Sequence, residues 1–202
     1  MQNEENSSGV EVVVYCASSS NIDREYVDAA TNLGHLFAEN NITCITGAGF
    51  KGLMGAINDA VIEKGGKAKG IIPRFMVDNG WCHANLTETI ITETIHERKA
   101  KMAELSDAAV ALPGGVGTLE ELLEIITWKQ LRLYENPIII LNVNGFYDPL
   151  IEMLTKIVDQ KFMHPIYREM WKVVDTPEEV IENLRNFKPW NPKIDKFDKK
   201  VL

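Results

Sequence analysis

Cysteine, histidine clusters, basic charge and long apolar runs are all scarce in this chain, and each shortage excludes something. Its three cysteines, Cys16, Cys44 and Cys82, are odd in number and far apart. They frame neither a disulfide network nor a zinc ligand set, and a reducing cytoplasm is the simple expectation. The four histidines, His35, His83, His96 and His164, show no H-x-x-x-H or similar spacing, so no metal site is expected. No apolar run reaches the roughly 18–20 residues of a membrane span. Lys and Arg number 21 against 29 Asp and Glu, a formal net charge of −8. That is the wrong sign for a sequence-independent nucleic-acid binder, although it leaves room for a small local phosphate site. No G-x-x-x-x-G-K-[ST] loop, nucleophile-elbow serine or internal repeat occurs. Met1 to Gly9 is polar and acidic; it reads as a disordered N-terminus rather than a signal peptide.

What remains is an ordinary globular composition, 45% hydrophobic and 25% charged over 202 residues, enough for one sizeable domain. Short apolar runs alternate with helical patterns. The runs Val10–Tyr15, Ile42–Thr46, Ala68–Ile72, Ala108–Leu112, Ile138–Asn142 and Trp171–Val174 read as strands, with a weaker one at Thr87–Thr92. Helices are expected over Asp23–Asn40, Leu53–Lys64, Ile95–Leu105, Leu119–Leu133 and Pro149–Lys161, and from the start signal Thr176-Pro177-Glu178-Glu179 to about Asn186. Phe75–Leu86 has no clear period. This predicts a Rossmann-like α/β domain over residues 10–186: a doubly wound, mostly parallel sheet with helices on both faces. Residues 187–202, basic with two prolines, read as a loosely held tail. In such sheets ligands sit beyond the carboxyl ends of the strands. Three small-residue loops fall there: Ala17–Ser20, Gly47–Gly52 and Gly114–Thr118.

The last of these organises the chain. In Pro113-Gly114-Gly115-Val116-Gly117-Thr118-Leu119-Glu120-Glu121 a strand ends, glycines turn the chain and a helix begins, with Thr118 as the expected N-cap. Bare backbone amides at a helix N-terminus suit a phosphate. Glu120 reads as a dipole cap. Glu121 shares a helix face with Ile125 and Trp128, a second apolar face that suggests a dimer interface and a raised carboxyl pKa. Gly47-Ala48-Gly49-Phe50-Lys51-Gly52 matches G-x-G-x-x-G but follows the second strand and lacks the later ribose-binding acid. A mononucleotide contact, a structural turn and, through Arg74, an NADP site all stay open. Arg98 lies in the apolar stripe of Ile95, Met102 and Leu105 and must meet an anion there, either an internal carboxylate or a bound phosphate. Lys99 is a second candidate.

The Pro113–Glu121 stretch resembles the P-G-G-x-G-T-x-x-E signature of the Lonely Guy family, the cytokinin riboside 5′-monophosphate phosphoribohydrolases. Arg98-Lys99 with Met102 resembles that family's H-x-R-K-x-x-M helix, and Gly52-Leu53-Met54-Gly55 its G-L-M-G segment. The resemblance implies a Rossmann-like homodimer or higher oligomer, without cofactor. Such a protein hydrolyses the N-glycosidic bond of nucleoside 5′-monophosphates, cytokinin ribotides or AMP, to free base and ribose 5-phosphate. It places the catalytic pair on Arg98 and Glu121, phosphate contacts on Gly115, Val116, Gly117 and Thr118, and a base or ribose contact on Thr127. Gly47, Gly49, Met54 and Gly114 complete the expected site. The chain departs from the family at Gly47-Ala48-Gly49, where consecutive glycines are usual, and across Asp78–Asn85 with Trp81 and Cys82, which leaves the preferred base open. A non-catalytic nucleotide carrier and an NADP-linked oxidoreductase are the alternatives.

Overall fold

The computed structural model describes residues 9–190; the expected N-terminal segment before Gly9 and the tail beyond Trp190 lie outside them. Strands and helices alternate. They run β1 (Glu11–Tyr15), α1 (Arg24–Glu39), β2 (Thr43–Thr46), α2 (Gly52–Glu63), β3 (Ala68–Pro73), α3 (Arg74–Asp78), β4 (Glu88–Thr92), α4 (Ile95–Glu104), β5 (Ala108–Ala111), α5 (Val116–Gln130), β6 (Ile138–Leu141), α6 (Asp148–Asp159), β7 (Lys172–Val174) and α7 (Pro177–Arg185). All seven strands pair in parallel in the order β4-β3-β2-β1-β5-β6-β7.

The continuous apolar strands follow from burial on both faces. Val12 and Val14 of β1 join α1, α2 and α7 in one core layer, while Val13 and Tyr15 join α4, α5 and α6 in the other. That is the period-two alternation of a strand. Each fully buried Val, Leu or Ile contributes roughly 1.5–3 kcal/mol, so both layers hold the sheet. The chain leaves β1 towards β2, β3 and β4, then crosses back to place β5 on the other side of β1. The crevice at this reversal, at the strands' carboxyl ends, is where a ligand site is expected.

Three local features differ from the sequence expectations. First, α5 starts at Val116 with Gly115 as N-cap and no side-chain cap. Thr118 is therefore inside the first turn, buried, and a Cβ on Gly114 would stand 2.1 Å from its Oγ1. Its hydroxyl packs over the glycine turn instead of capping. Second, the unplaced segment after β3 opens with the short helix α3 and is then tied down by long-range bonds described below. Third, Ile125 is 2% exposed and packs with Tyr15 and Met102 in the chain's own core. The face it shares with Glu121 is therefore largely covered from within, and Trp128 is half-buried there. At the start of the expected loose tail, Trp190 lies beneath the Arg132 guanidinium, 5.0 Å from ring to charge, and Phe187 faces Lys129.

Candidate active site

A cavity of about 510 Å³ opens at the reversal point between β1 and β5. All three small-residue loops line it: Cys16, Ala17 and Ser18 after β1; Gly47, Gly49, Phe50 and Lys51 after β2; Gly115, Gly117 and Thr118 after β5. The loops brace one another. Ala17 N donates to Pro113 O at 3.1 Å and Met54 N to Ala17 O at 3.1 Å. Gly52 takes a left-handed φ of +62°, and a Cβ there would strike Ser19 O at 2.4 Å. That position accepts only glycine without moving the β1 loop.

Arg98 and Glu121 form the floor. The capping box of Thr94 and Glu97 fixes the start of α4, a device worth about 1 kcal/mol, and so sets the rotation of Arg98 one turn later. Its Nη2 lies 3.3 Å from Glu121 Oε1, and both side chains are only 11% exposed. Arg98 Nε is buried without a hydrogen-bond partner. The guanidinium lies across Gly47, where a Cβ would sit 2.0 Å from Nη2, so the first glycine of G-x-G-x-x-G makes room for an arginine. Burial pushes the Glu121 carboxyl above its usual range, against the pull of Arg98. The cause is desolvation by the chain's own packing.

Beside this pair, α5 presents the amides of Val116, Gly117 and Thr118, which have no intrahelical acceptor. No acid lies in that first turn, so the positive end of the helix is not neutralised locally. Glu121 follows five residues after Val116, about 7.5 Å along the axis.

Of the expected site residues, the cavity gathers Arg98, Glu121, Gly47, Gly49, Met54, Gly115, Gly117 and Thr118. Four lie apart. Gly114 is covered by Thr118. Val116 presents its side chain to solvent. Thr127 is on the outer side of α5, its hydroxyl donating to Leu123 O at 2.8 Å. Lys99 is held by Glu120 and by Glu124, the latter at 3.0 Å. Burial pulls its pKa down, but those hydrogen bonds carry it above the ordinary value. Glu120, expected as a dipole cap, is thus a partner of Lys99. Arg74, the basis for an NADP site, pairs with Glu93 at 3.3 Å on the surface. Sequence reading missed Ile72, Met76 and Trp81 as lining residues. An aromatic inside a glycine loop, Phe50, and a tryptophan in a polar stretch, Trp81, were the available signals.

A family model described as a possible lysine decarboxylase matches residues 54–184. The chain is 42% identical over 180 residues to the cytokinin riboside 5′-monophosphate phosphoribohydrolase LOG5 of Arabidopsis thaliana, covering 89% of this chain and 79% of that one. This chain belongs to the Lonely Guy family. It is also 40% identical over 183 residues to the probable phosphoribohydrolase LOGL2 of the same specificity class from Oryza sativa subsp. japonica, covering 91% and 75%. The fold recurs in the structure of TM1055, with TM-score 0.70, 23% identity and coverage of 88% and 99%. It recurs again in the molybdenum cofactor carrier protein of Chlamydomonas reinhardtii, with TM-score 0.68, 18% identity and coverage of 88% and 96%. At that identity the likeness shows the fold alone. Of the stretch Pro113–Glu121, Gly115, Gly117, Thr118 and Glu121 line the cavity.

Proposed function

We propose that this protein is a nucleoside 5′-monophosphate phosphoribohydrolase, releasing free base and ribose 5-phosphate. The observation that carries the reading is the desolvated Arg98–Glu121 pair next to an acid-free helix N-terminus. The amides of Val116, Gly117 and Thr118 receive the 5′-phosphate. Arg98, with unused donors, clamps the phosphate or the leaving group. The ribose then lies along α5 over Glu121. Glycosidic cleavage builds positive charge at the anomeric carbon. An ionised carboxylate there stabilises that charge and takes a proton from the attacking water. Water forms the new C–O bond as the C–N bond breaks, and the base leaves with the electron pair. The proton that water gave to Glu121 passes to the base, directly or through solvent, so that the carboxylate is restored. A carrier needs the phosphate cradle but has no use for a buried acid beneath the sugar, and this favours the hydrolase. A panel of nucleoside 5′-monophosphates assayed for free base by chromatography tests it. Release from at least one purine nucleotide is expected; intact nucleotides throughout, with binding retained, would establish the carrier instead.

The active form is read as a homodimer or higher oligomer in a reducing cytoplasm. No helix among the described residues is long and apolar enough to cross a membrane. The outer side of α5 leaves Val116 and Leu123 exposed, and Leu133 just beyond it. With this placement Thr127 meets substrate only across a contact between two copies. A solution mass equal to one chain, measured by light scattering, would remove this part of the reading and leave the chemistry standing.

A further inference from the structure

Trp81 stands 50% exposed on a segment with little regular structure, yet the backbone beneath it is pinned. The chain turns at Gly80, and Cys82 bridges Gly49 in antiparallel sense. His83 N donates to Ala48 O at 2.8 Å. The buried His83 ring accepts from Asn85 N at Nδ1, 3.1 Å away. Its Nε2 therefore carries the proton, and donates to Asp59 Oδ1 at 2.9 Å. These bonds fix the segment to the loop whose Gly47 backs Arg98.

A large ring held in water on a fixed backbone is a surface prepared for contact. Trp81, Phe50 and Lys51 are exposed lining residues of the cavity, with Met76 half-buried and Ile72 buried, while the side chains of Arg98 and Glu121 lie almost covered within it. The cavity thus runs from a desolvated ion pair to an exposed side where two aromatic rings stand, one of them beneath the Lys51 ammonium. A nucleoside monophosphate divides in the same way, with phosphate and ribose at one end and a flat base at the other. We propose that Trp81 is a specificity-determining residue on which the base stacks, so that bases are ranked by stacking area, purines above pyrimidines. Among the described residues no carboxylate or amide side chain other than Glu121 lines the cavity, and the Lys51 ammonium lies over the Phe50 ring, 5.3 Å from its centroid, which leaves the face of Trp81 open to a base. This rests on the phosphoribohydrolase reading of the same cavity.

The test is steady-state kinetics of Trp81→Ala and Trp81→Phe with AMP, alongside calorimetric affinity for ribose 5-phosphate, which lacks the base. Trp81→Ala should raise KM for AMP about tenfold or more, the loss of one stacked base. The change in kcat should be much smaller, and ribose 5-phosphate should bind as before. Trp81→Phe should recover most of the loss. An unchanged KM, or ribose 5-phosphate weakened in step with AMP, overturns the proposal. Tryptophan fluorescence separates the two readings, with Trp81→Phe as the blank. AMP that quenches Trp81 without releasing adenine removes the hydrolase and keeps the stack. Normal turnover without quenching removes the stack and keeps the hydrolase.

Discussion

Arg98 and Lys99 leave α4 as neighbours, and each meets glutamate on α5. Lys99 bridges Glu120 and Glu124, two acids four residues apart on one helix face that would otherwise repel. Its charge is fully answered, and it stands outside the cavity. Arg98, turned by about 100°, meets only Glu121 across 3.3 Å and keeps a buried Nε without a partner. The first cluster is complete and holds two helices together. The second is incomplete, desolvated and open to a cavity, which is the condition in which a ligand supplies what is lacking. Two neighbouring cations thus meet glutamates of the same helix in different ways, Lys99 with two acids outside the cavity and Arg98 with one acid inside it.

The largest effect is expected at Arg98. Arg98→Met should lower kcat for AMP by about 10²–10⁴. It should also move the acidic limb of the pH–rate profile. Glu121 acts ionised, so activity falls as pH drops through its raised pKa. Removing the guanidinium removes the attraction that opposes burial, so the limb should shift to higher pH. A limb that stays in place would mean that another group sets it.

Lys99→Met should do the reverse. Adenine release should stay within a few-fold of the unsubstituted protein, because Lys99 does not reach the cavity. Urea unfolding should show about 1–2 kcal/mol lost, less than for a fully buried pair because Glu120 is half exposed. A collapse of kcat with stability intact would move Lys99 into the site.

A smaller effect is expected in stability against pH. The folded-state pKa of Glu121 is raised, so between its unfolded and folded values the native state holds the extra proton. Stability then falls as pH rises through that window. Glu121→Gln should therefore be as stable as the unsubstituted protein, or slightly more so, at neutral pH. Any such advantage should vanish below the ordinary glutamate range. Equal thermal curves at all pH values would show that Arg98 compensates the burial completely.

Much of the fold was legible because its signals are local. The apolar runs of β1, β5 and β6 and the capping box of Thr176 and Glu179 are each contained in a few residues. The start of α5 was misplaced because Val116 and Gly117 are poor helix formers and Gly115 offers no capping oxygen. The segment around Trp81 was illegible because its order comes from bonds to distant residues, His83 to Asp59 and Cys82 to Gly49. Arg98 could be recognised as a cation needing an anion from its apolar stripe alone. That Glu121 is desolvated was anticipated, but from a partner surface; the structure supplies the cause from inside, since Ile125 is in the chain's own core.

The most direct measurement sets two adjacent acids against each other: adenine release from AMP by Glu121→Gln and by Glu120→Gln, in parallel with their thermal unfolding. Glu121→Gln should lose about 10²–10⁴ in kcat with stability preserved, while Glu120→Gln should stay within a few-fold in rate. Near-normal release by Glu121→Gln, or an equal loss in both variants, would contradict the assignment of chemistry to the Arg98–Glu121 pair.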